Sequence, residues 1–280
     1  MASSFGCLIF ATLLVLSCAD RQVAKRRFIR DAVAYEEGTT PHFENIFLGR
    51  CFEHGCLSCT DENKMADCQN IYNAFLDAVL SAPNCELDDN AYDTFISMVA
   101  PNLPEDMTAF WSGTYDIAHE LSSITRDFYT MEDSFMGYLV DGLNWCGNAD
   151  QTGLGFLECP SWDYDKCYGQ ATSVFWNKAS ATIAAQARGE VSVVLNGDTT
   201  EGAFRDSSFF ARVEAPNLDP AKVTKANILL VHELGSIPYE TCDEPITLIN
   251  LWSLLEEKGI EYSCTDNPEY VFTLFTLHVR

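Results

Sequence analysis

Apolar side chains recur at helical spacing along the first two thirds of the chain. Between Met65 and Ser81 they form a continuous stripe that stops before Pro83, as expected for an amphipathic helix. The same pattern predicts further helices over Ala91–Val99, from Thr130 to about Trp145, and over Tyr168–Arg188.

Polar residues beside these stripes suggest where the helices begin. Asp88 and Asp89 are candidate caps of the second helix, and Thr130 of the third. With Thr130 as the cap, Glu132 and Asp133 fall in the first turn, where the helix dipole favours carboxylates. In the fourth helix Trp176 and Ser180 are one turn apart and share a face.

The last third of the chain has a different pattern. Val191–Leu195 is a β-branched run that ends at Asn196-Gly197, and an alternation of further apolar strands with an amphipathic helix follows: Ile228–His232, the helix Ile246–Lys258, Gly259–Cys264 and Tyr270–His278. This order predicts a parallel sheet flanked by helices. We therefore expect an α+β or α/β protein, with a mainly helical domain over 41–175, a smaller α/β domain over 176–280, and a ligand cleft between them.

The amino terminus resembles a secretory signal peptide. An apolar core, Phe5–Ser17, precedes the small residues Ser17-Cys18-Ala19. A signal anchor is the alternative, but the core is shorter than the ~20 residues that span a bilayer. We predict a signal peptide over 1–19, a poorly structured segment over 20–40, and a protein that is secreted or held in the lumen of secretory vesicles, without a stable membrane span.

Cysteine use agrees with that compartment. The chain has 12 cysteines, and Cys7 and Cys18 belong to the predicted signal peptide. The even number left indicates disulfides in a secreted protein. Cys56 and Cys59 have the spacing of a metal-binding pair, but no second pair stands at zinc-ribbon or finger spacing. We predict no metal site.

The formal net charge of −24 limits the partners of this protein. Such a surface repels nucleic acid and anionic membranes. A nucleotide substrate would need locally placed donors, because the overall field opposes it. The oligomeric state, monomer or homodimer, stays open.

Three separate segments carry residues suited to cleaving a glycosidic bond next to a cationic ring. They are Trp111-Ser112, Thr130–Asp133 and Phe209–Glu214, and Trp176 lies between the last two. Tryptophan faces bind planar cations, and a carboxylate stabilises an oxocarbenium ion. Taken singly, the carboxylates would be solvated residues and the tryptophans core residues, as we expect for Trp145.

Together and in this order, the segments resemble the ADP-ribosyl cyclase/cyclic ADP-ribose hydrolase family. The resemblance runs from about Pro41 to Pro268 and rests on these matching stretches: Glu44–Cys51, Trp111-Ser112-Gly113, Thr130–Asp133 with Gly137-Tyr138, Trp145-Cys146-Gly147, Phe175-Trp176 and Ser207–Glu214. It implies the two-domain fold expected above, NAD or NADP as substrate, and no further cofactor.

The resemblance also implies roles for individual residues. Glu214 matches the catalytic glutamate, and Glu132 an acidic residue near the nicotinamide amide. Trp111 and Trp176 match residues that position nicotinamide and the purine. Ser112, Ser180 and Phe210 match positions that contact the diphosphate or the ribose, and Asp141 matches a polar position that neighbours that of Glu132. Phe209 is a further substrate-binding position.

The family's disulfide pattern would pair Cys51 with Cys68, Cys85 with Cys167, Cys146 with Cys159, and Cys242 with Cys264. This chain lacks the last carboxyl-terminal disulfide common in the family. Cys56 and Cys59 are instead an additional pair, which we expect to be joined to each other.

The expected activity is therefore cyclisation of NAD to cyclic ADP-ribose and nicotinamide, with base exchange on NADP. The alternatives are a predominant NAD glycohydrolase and a non-catalytic ectodomain on the same scaffold. Phe209 favours the cyclase, because relatives that mainly hydrolyse NAD tend to have a small polar residue at this position.

Overall fold

The computed structural model describes residues 35–56, 64–161, 166–233, 235 and 237–271. These divide into two compact units that interleave along the chain. The first combines the segment ending at Pro41 with Val79–Asp88 and Asn144–Val174, and the second comprises the rest. The predicted signal peptide lies outside the described residues. The domain limits at residues 41 and 175 remain a prediction.

A parallel four-stranded sheet forms the centre of the second unit. Its strands are β2 (Ala109–Ser112), β4 (Gly189–Asn196), β5 (Val223–Val231) and β6 (Glu261–Asp266), in the spatial order β2-β4-β5-β6. All neighbouring pairs are parallel, so their carboxyl ends meet at one edge of the sheet. The structure confirms the mixed α/β class, and it adds β2, which sequence patterning did not predict.

The helices with residues in this unit are α1 (Phe43–Cys56), α2 (Lys64–Val79), α3 (Asp93–Val99), α4 (Tyr115–Ile124), α6 (Ala171–Gln186) and α8 (Leu248–Lys258). Aromatic side chains of α1, α2, α3 and α6 form a cluster. The ring of Phe75 lies 5.5 Å from Phe43, and 5.3 Å from both Phe47 and Phe95. Burying so many rings contributes a large share of the apolar area that stabilises the unit.

The helix predicted from Thr130 to Trp145 is much shorter than expected. Only α5 (Phe135–Tyr138) is helical, and its N-cap is Ser134. Thr130 does not cap a helix, because its amide and hydroxyl both donate to the Asp133 carboxylate, at 2.8 and 2.9 Å. Those bonds hold residues 130–133 in a turn.

The predicted carboxylate caps of α3 are also wrong. Tyr92 occupies the N-cap position, without a side-chain cap hydrogen bond. At the carboxyl end, Tyr270 and Val271 are helical instead of extended. The rest of the strand predicted over Tyr270–His278 lies outside the described residues.

The first unit is held together by two disulfides and a small antiparallel pair. Strands β1 (Tyr35–Glu37) and β3 (Glu158–Pro160) are hydrogen-bonded to each other, so the segment predicted to be poorly structured contributes a strand at its end. Trp145 is fully buried, as expected for a structural tryptophan.

The four disulfide pairs implied by the family resemblance are present. Cys85–Cys167 and Cys146–Cys159 belong to the first unit, and Cys51–Cys68 and Cys242–Cys264 to the second. The expected Cys56–Cys59 pair lies outside the described residues. Among the described helices, none is both long and apolar enough to cross a bilayer.

Candidate active site

Glu214 lies at the end of a π-helical turn. Residues Phe210–Glu214 form this π-helix, and a short helical turn, α7 (Ala215–Asn217), continues it. The amide of Ala215 donates to the carbonyl of Phe210, five residues back. Such turns are rare and occur often at functional sites. No pattern in the sequence predicted this π-helix.

The Glu214 carboxyl is almost completely removed from solvent. Glu214 is 6% exposed, and its Oε1 accepts a hydrogen bond of 2.9 Å from the Ser180 hydroxyl on α6. Burial raises the pKa of Glu214 to about 8; the Ser180 bond opposes the shift, and the charge of Glu132 adds to it. Glu214 is therefore mostly protonated at neutral pH in the free protein.

Glu132 is a second buried carboxyl, presented by the turn over residues 130–133. Its Oε2 accepts from the Trp111 indole at 3.3 Å, and His119 Nε2 lies 3.8 Å from the same oxygen. Burial raises the pKa of Glu132 as well, opposed by its own backbone amide, His119 and Trp111. The indole thereby fixes this carboxyl at the end of β2.

Neighbouring residues link the two carboxyls. Ser180, which bonds Glu214, also has its hydroxyl 3.7 Å from the sulfur of Met131, the residue before Glu132. Residues from before and after position 175 thus come together, and all of them belong to the second compact unit.

Aromatic rings lie beside the Glu132 carboxyl. Trp111 is half-buried, and the Tyr115 ring meets it edge-on at 5.4 Å. Tyr115 and His119 are one turn apart on α4, with ring centroids at 4.0 Å. Neither residue was predicted to belong to the site, although their spacing directly after the Trp111 motif could have indicated both.

Trp176 and Asp141 lie at the edge of this group. Trp176 is half-buried on α6, one turn before Ser180, and its ring packs edge-on against Phe175 at 4.8 Å. Asp141 is half-exposed and is near enough to Tyr115 to contribute to the raised pKa of that phenol, after the larger effect of burial.

The two phenylalanines that precede Glu214 differ in environment. Phe210 is buried between Phe110 and Phe204, with ring centroids 5.9 and 5.8 Å away. A ligand could therefore contact only the backbone of Phe210. Phe209 is half-buried, and the guanidinium carbon of Arg212 lies 5.5 Å from its ring. Of the two side chains, only that of Phe209 is accessible to a substrate.

Ser112, the last residue of β2, is 4% exposed, and its hydroxyl has no hydrogen-bond partner among the described residues. Within the same residues, no group of three or more His, Cys, Asp or Glu side chains is arranged to hold a metal ion.

Comparison with known proteins places the chain in a defined family. A family model described as ADP-ribosyl cyclase matches residues 40–276. An ADP-ribosyl cyclase/cyclic ADP-ribose hydrolase of Aplysia kurodai is 34% identical over 239 residues, 84% of this chain and 83% of the relative.

Solved structures agree with the sequence match. Aplysia cyclase complexed with substrate NGD and product cGDPR superposes with a TM-score of 0.76 at 32% identity, over 88% of this chain and 97% of that one. Porcine CD38 complexed with a covalent intermediate gives a TM-score of 0.74 at 33% identity, over 82% and 98% of the two chains.

Proposed function

The chain belongs to the ADP-ribosyl cyclase family, and we propose that it cleaves NAD mainly to cyclic ADP-ribose and nicotinamide, with Glu214 as the catalytic carboxylate. The observation that carries this proposal is the buried Glu214 carboxyl, bonded to Ser180 and adjoining the Trp111–Glu132 pair. A confined carboxyl beside an indole is the combination that a ribosyl cation and a flat pyridinium ring require.

The reaction begins with departure of nicotinamide. The bond between the ribose anomeric carbon and the pyridinium nitrogen breaks, and its electron pair leaves with neutral nicotinamide. No general acid is needed, which accounts for one carboxylate acting where ordinary glycosidases use two. Glu214 then stabilises the ribosyl cation, or attacks it to form an ester at the anomeric carbon.

The raised pKa of Glu214 fits this sequence of events. A neutral carboxylic acid would not stabilise a cation, but the positive charge of a bound pyridinium favours the ionised form. Substrate binding therefore promotes loss of the Glu214 proton. Glu132 and Trp111 would orient the nicotinamide amide and ring, and Trp176 the purine.

Which product forms depends on the nucleophile that reaches the anomeric carbon. Attack by the adenine ring of the same molecule gives cyclic ADP-ribose, and attack by water gives ADP-ribose. The accessible ring of Phe209 favours the first, because it can stack on adenine and exclude water from the centre. Changing the main product requires only ~2–3 kcal/mol, within the range of one aromatic contact.

We also expect activity without an added metal or cofactor, base exchange with nicotinic acid on NADP, and an extracellular or vesicular location. Four disulfides among the described residues support the location, because such bonds persist in oxidising compartments.

The deciding experiment is chromatography of the products formed from NAD at early times. We expect cyclic ADP-ribose to predominate, and Phe209→Thr to raise the hydrolysed fraction while total NAD consumption continues. Phe52→Thr, at an exposed position on α1, is the matched control and should leave the product ratio unchanged. If the wild type forms mostly linear ADP-ribose at times too early for any cyclic product to have been hydrolysed, the protein is a glycohydrolase and the cyclase proposal is wrong.

A further inference from the structure

The charge of this protein makes one of its two expected substrates harder to bind than the other. NADP differs from NAD only in a phosphate on the 2′ carbon of the adenosine ribose, which adds roughly 1.5 to 2 negative charges at neutral pH. The chain has 41 acidic and 17 basic side chains, so its overall field disfavours NADP. Efficient use of NADP therefore requires a cation close to the adenosine ribose.

Arg212 is a cation of the segment that carries the catalytic glutamate. It belongs to the π-helix Phe210–Glu214, and it is exposed to solvent whereas Glu214 is buried. An anion bound by an exposed arginine keeps part of its hydration. A phosphate at Arg212 therefore avoids the desolvation cost that it would have beside the buried carboxyl.

The Arg212 guanidinium packs against the ring on which we expect adenine to stack. Its central carbon lies 5.5 Å from the centroid of the Phe209 ring, a distance at which a guanidinium and an aromatic face attract each other. Phe209 is only half-buried, so part of its ring is open to a ligand. In NADP the 2′ carbon is bonded to the ribose carbon that carries adenine. A purine stacked on Phe209 therefore brings the 2′-phosphate within reach of the guanidinium.

Ser208 fixes the backbone that carries both side chains. Its carbonyl accepts a hydrogen bond of 3.1 Å from the Arg212 amide, and its hydroxyl accepts one of 3.1 Å from the Ala211 amide. The placement of Arg212 relative to Phe209 is thus set before a substrate binds, which limits the entropy lost on binding. The planar guanidinium also matches two phosphate oxygens at once.

We propose that Arg212 binds the 2′-phosphate of NADP and so determines how well the protein uses NADP relative to NAD. This inference rests on the proposed function, because it takes Phe209 as the residue that contacts adenine. The ligand of this subsite is a phosphate monoester on the purine-bearing ribose. NAD has a neutral hydroxyl at the same carbon and gains much less from the guanidinium.

The test is Arg212→Gln, with nicotinamide release measured from NADP and from NAD at one fixed ionic strength. We expect the ratio of kcat/KM for NADP to kcat/KM for NAD to fall at least ~10-fold. Arg212→Lys should recover part of the ratio, since it keeps the charge and loses the planar fork. Lys225→Gln is the matched control. It removes the same charge near the amino end of β5, where Lys225 pairs with Glu190 at 3.9 Å, and should leave the ratio unchanged.

Two kinetic results would overturn the proposal: an unchanged ratio in Arg212→Gln, including an equal loss with both substrates, and an equal fall of the ratio in Lys225→Gln, which would indicate the overall field instead of a local contact. Calorimetry separates this inference from the proposed function, using ADP-ribose and its 2′-phosphate ester, neither of which contains nicotinamide. Tighter binding of the ester by the wild type, lost in Arg212→Gln, supports the subsite even if neither substrate is cleaved. Equal binding of the two compounds by the wild type refutes it.

Discussion

Replacing Glu214 by glutamine should make the folded protein more resistant to unfolding at alkaline pH while abolishing its activity. The amide has nearly the same shape as the carboxyl, and its oxygen can still accept the bond from Ser180. It cannot ionise, however, and so avoids placing a charge in a site that excludes water. The loss of that charge should reduce NAD cleavage by at least ~10²-fold.

The magnitude follows from the pKa of Glu214, which rises from 4.5 to about 8 on folding. Between these values the folded state keeps a proton that the unfolded state has lost, so the free energy of unfolding falls as the pH rises through this window. At about 1.4 kcal/mol per unit, the cost to the wild type grows by about 4 kcal/mol between pH 5 and pH 9. The Glu214→Gln variant does not lose this stability, because glutamine does not ionise.

The assay is thermal unfolding of both proteins, disulfides intact, across that pH range. We expect the difference in Tm, variant minus wild type, to increase by several degrees from pH 5 to pH 9. Glu257→Gln, on the exposed face of α8, is the control and should give a constant difference. A constant difference for Glu214→Gln would mean that Glu214 titrates normally and that the burial argument is wrong.

The sequence predicted best the elements whose patterns are long. The strand at Val191–Leu195 and the helix that carries Trp176 and Ser180 were predicted within a few residues of their observed bounds. The strand predicted over Ile228–His232 covers the carboxyl-terminal half of β5. Burial of a long apolar face determines whether such an element is a helix or a strand, and its hydrophobic periodicity stays recognisable despite single irregular positions.

The local geometry of the site could not be predicted in the same way. Glu132 was expected in the first turn of a helix, yet it belongs to a turn closed by Thr130 and Asp133. The π-helix that ends at Glu214 is closed by a backbone hydrogen bond from the Ala215 amide to the Phe210 carbonyl. Such a bond does not change the hydrophobic periodicity of the sequence.

Two further predictions concern covalent and steric support of the fold. Thiol labelling of the mature, denatured and unreduced protein should find no free cysteine, with Cys56 linked to Cys59 on peptide mapping; one labelled cysteine would contradict this. Gly137→Ala should reduce NAD cleavage at least ~10-fold. A Cβ at Gly137 would lie 2.8 Å from the Cα of Glu132 and closer still to the carbonyl oxygen of Met131. It would therefore displace the Glu132 carboxyl, and catalysis is sensitive to small displacements of positioned groups. Gly49→Ala, on α1 where a Cβ meets nothing within 4 Å, should fold and react like the wild type, and equal activity of the two variants would show that the turn tolerates the displacement.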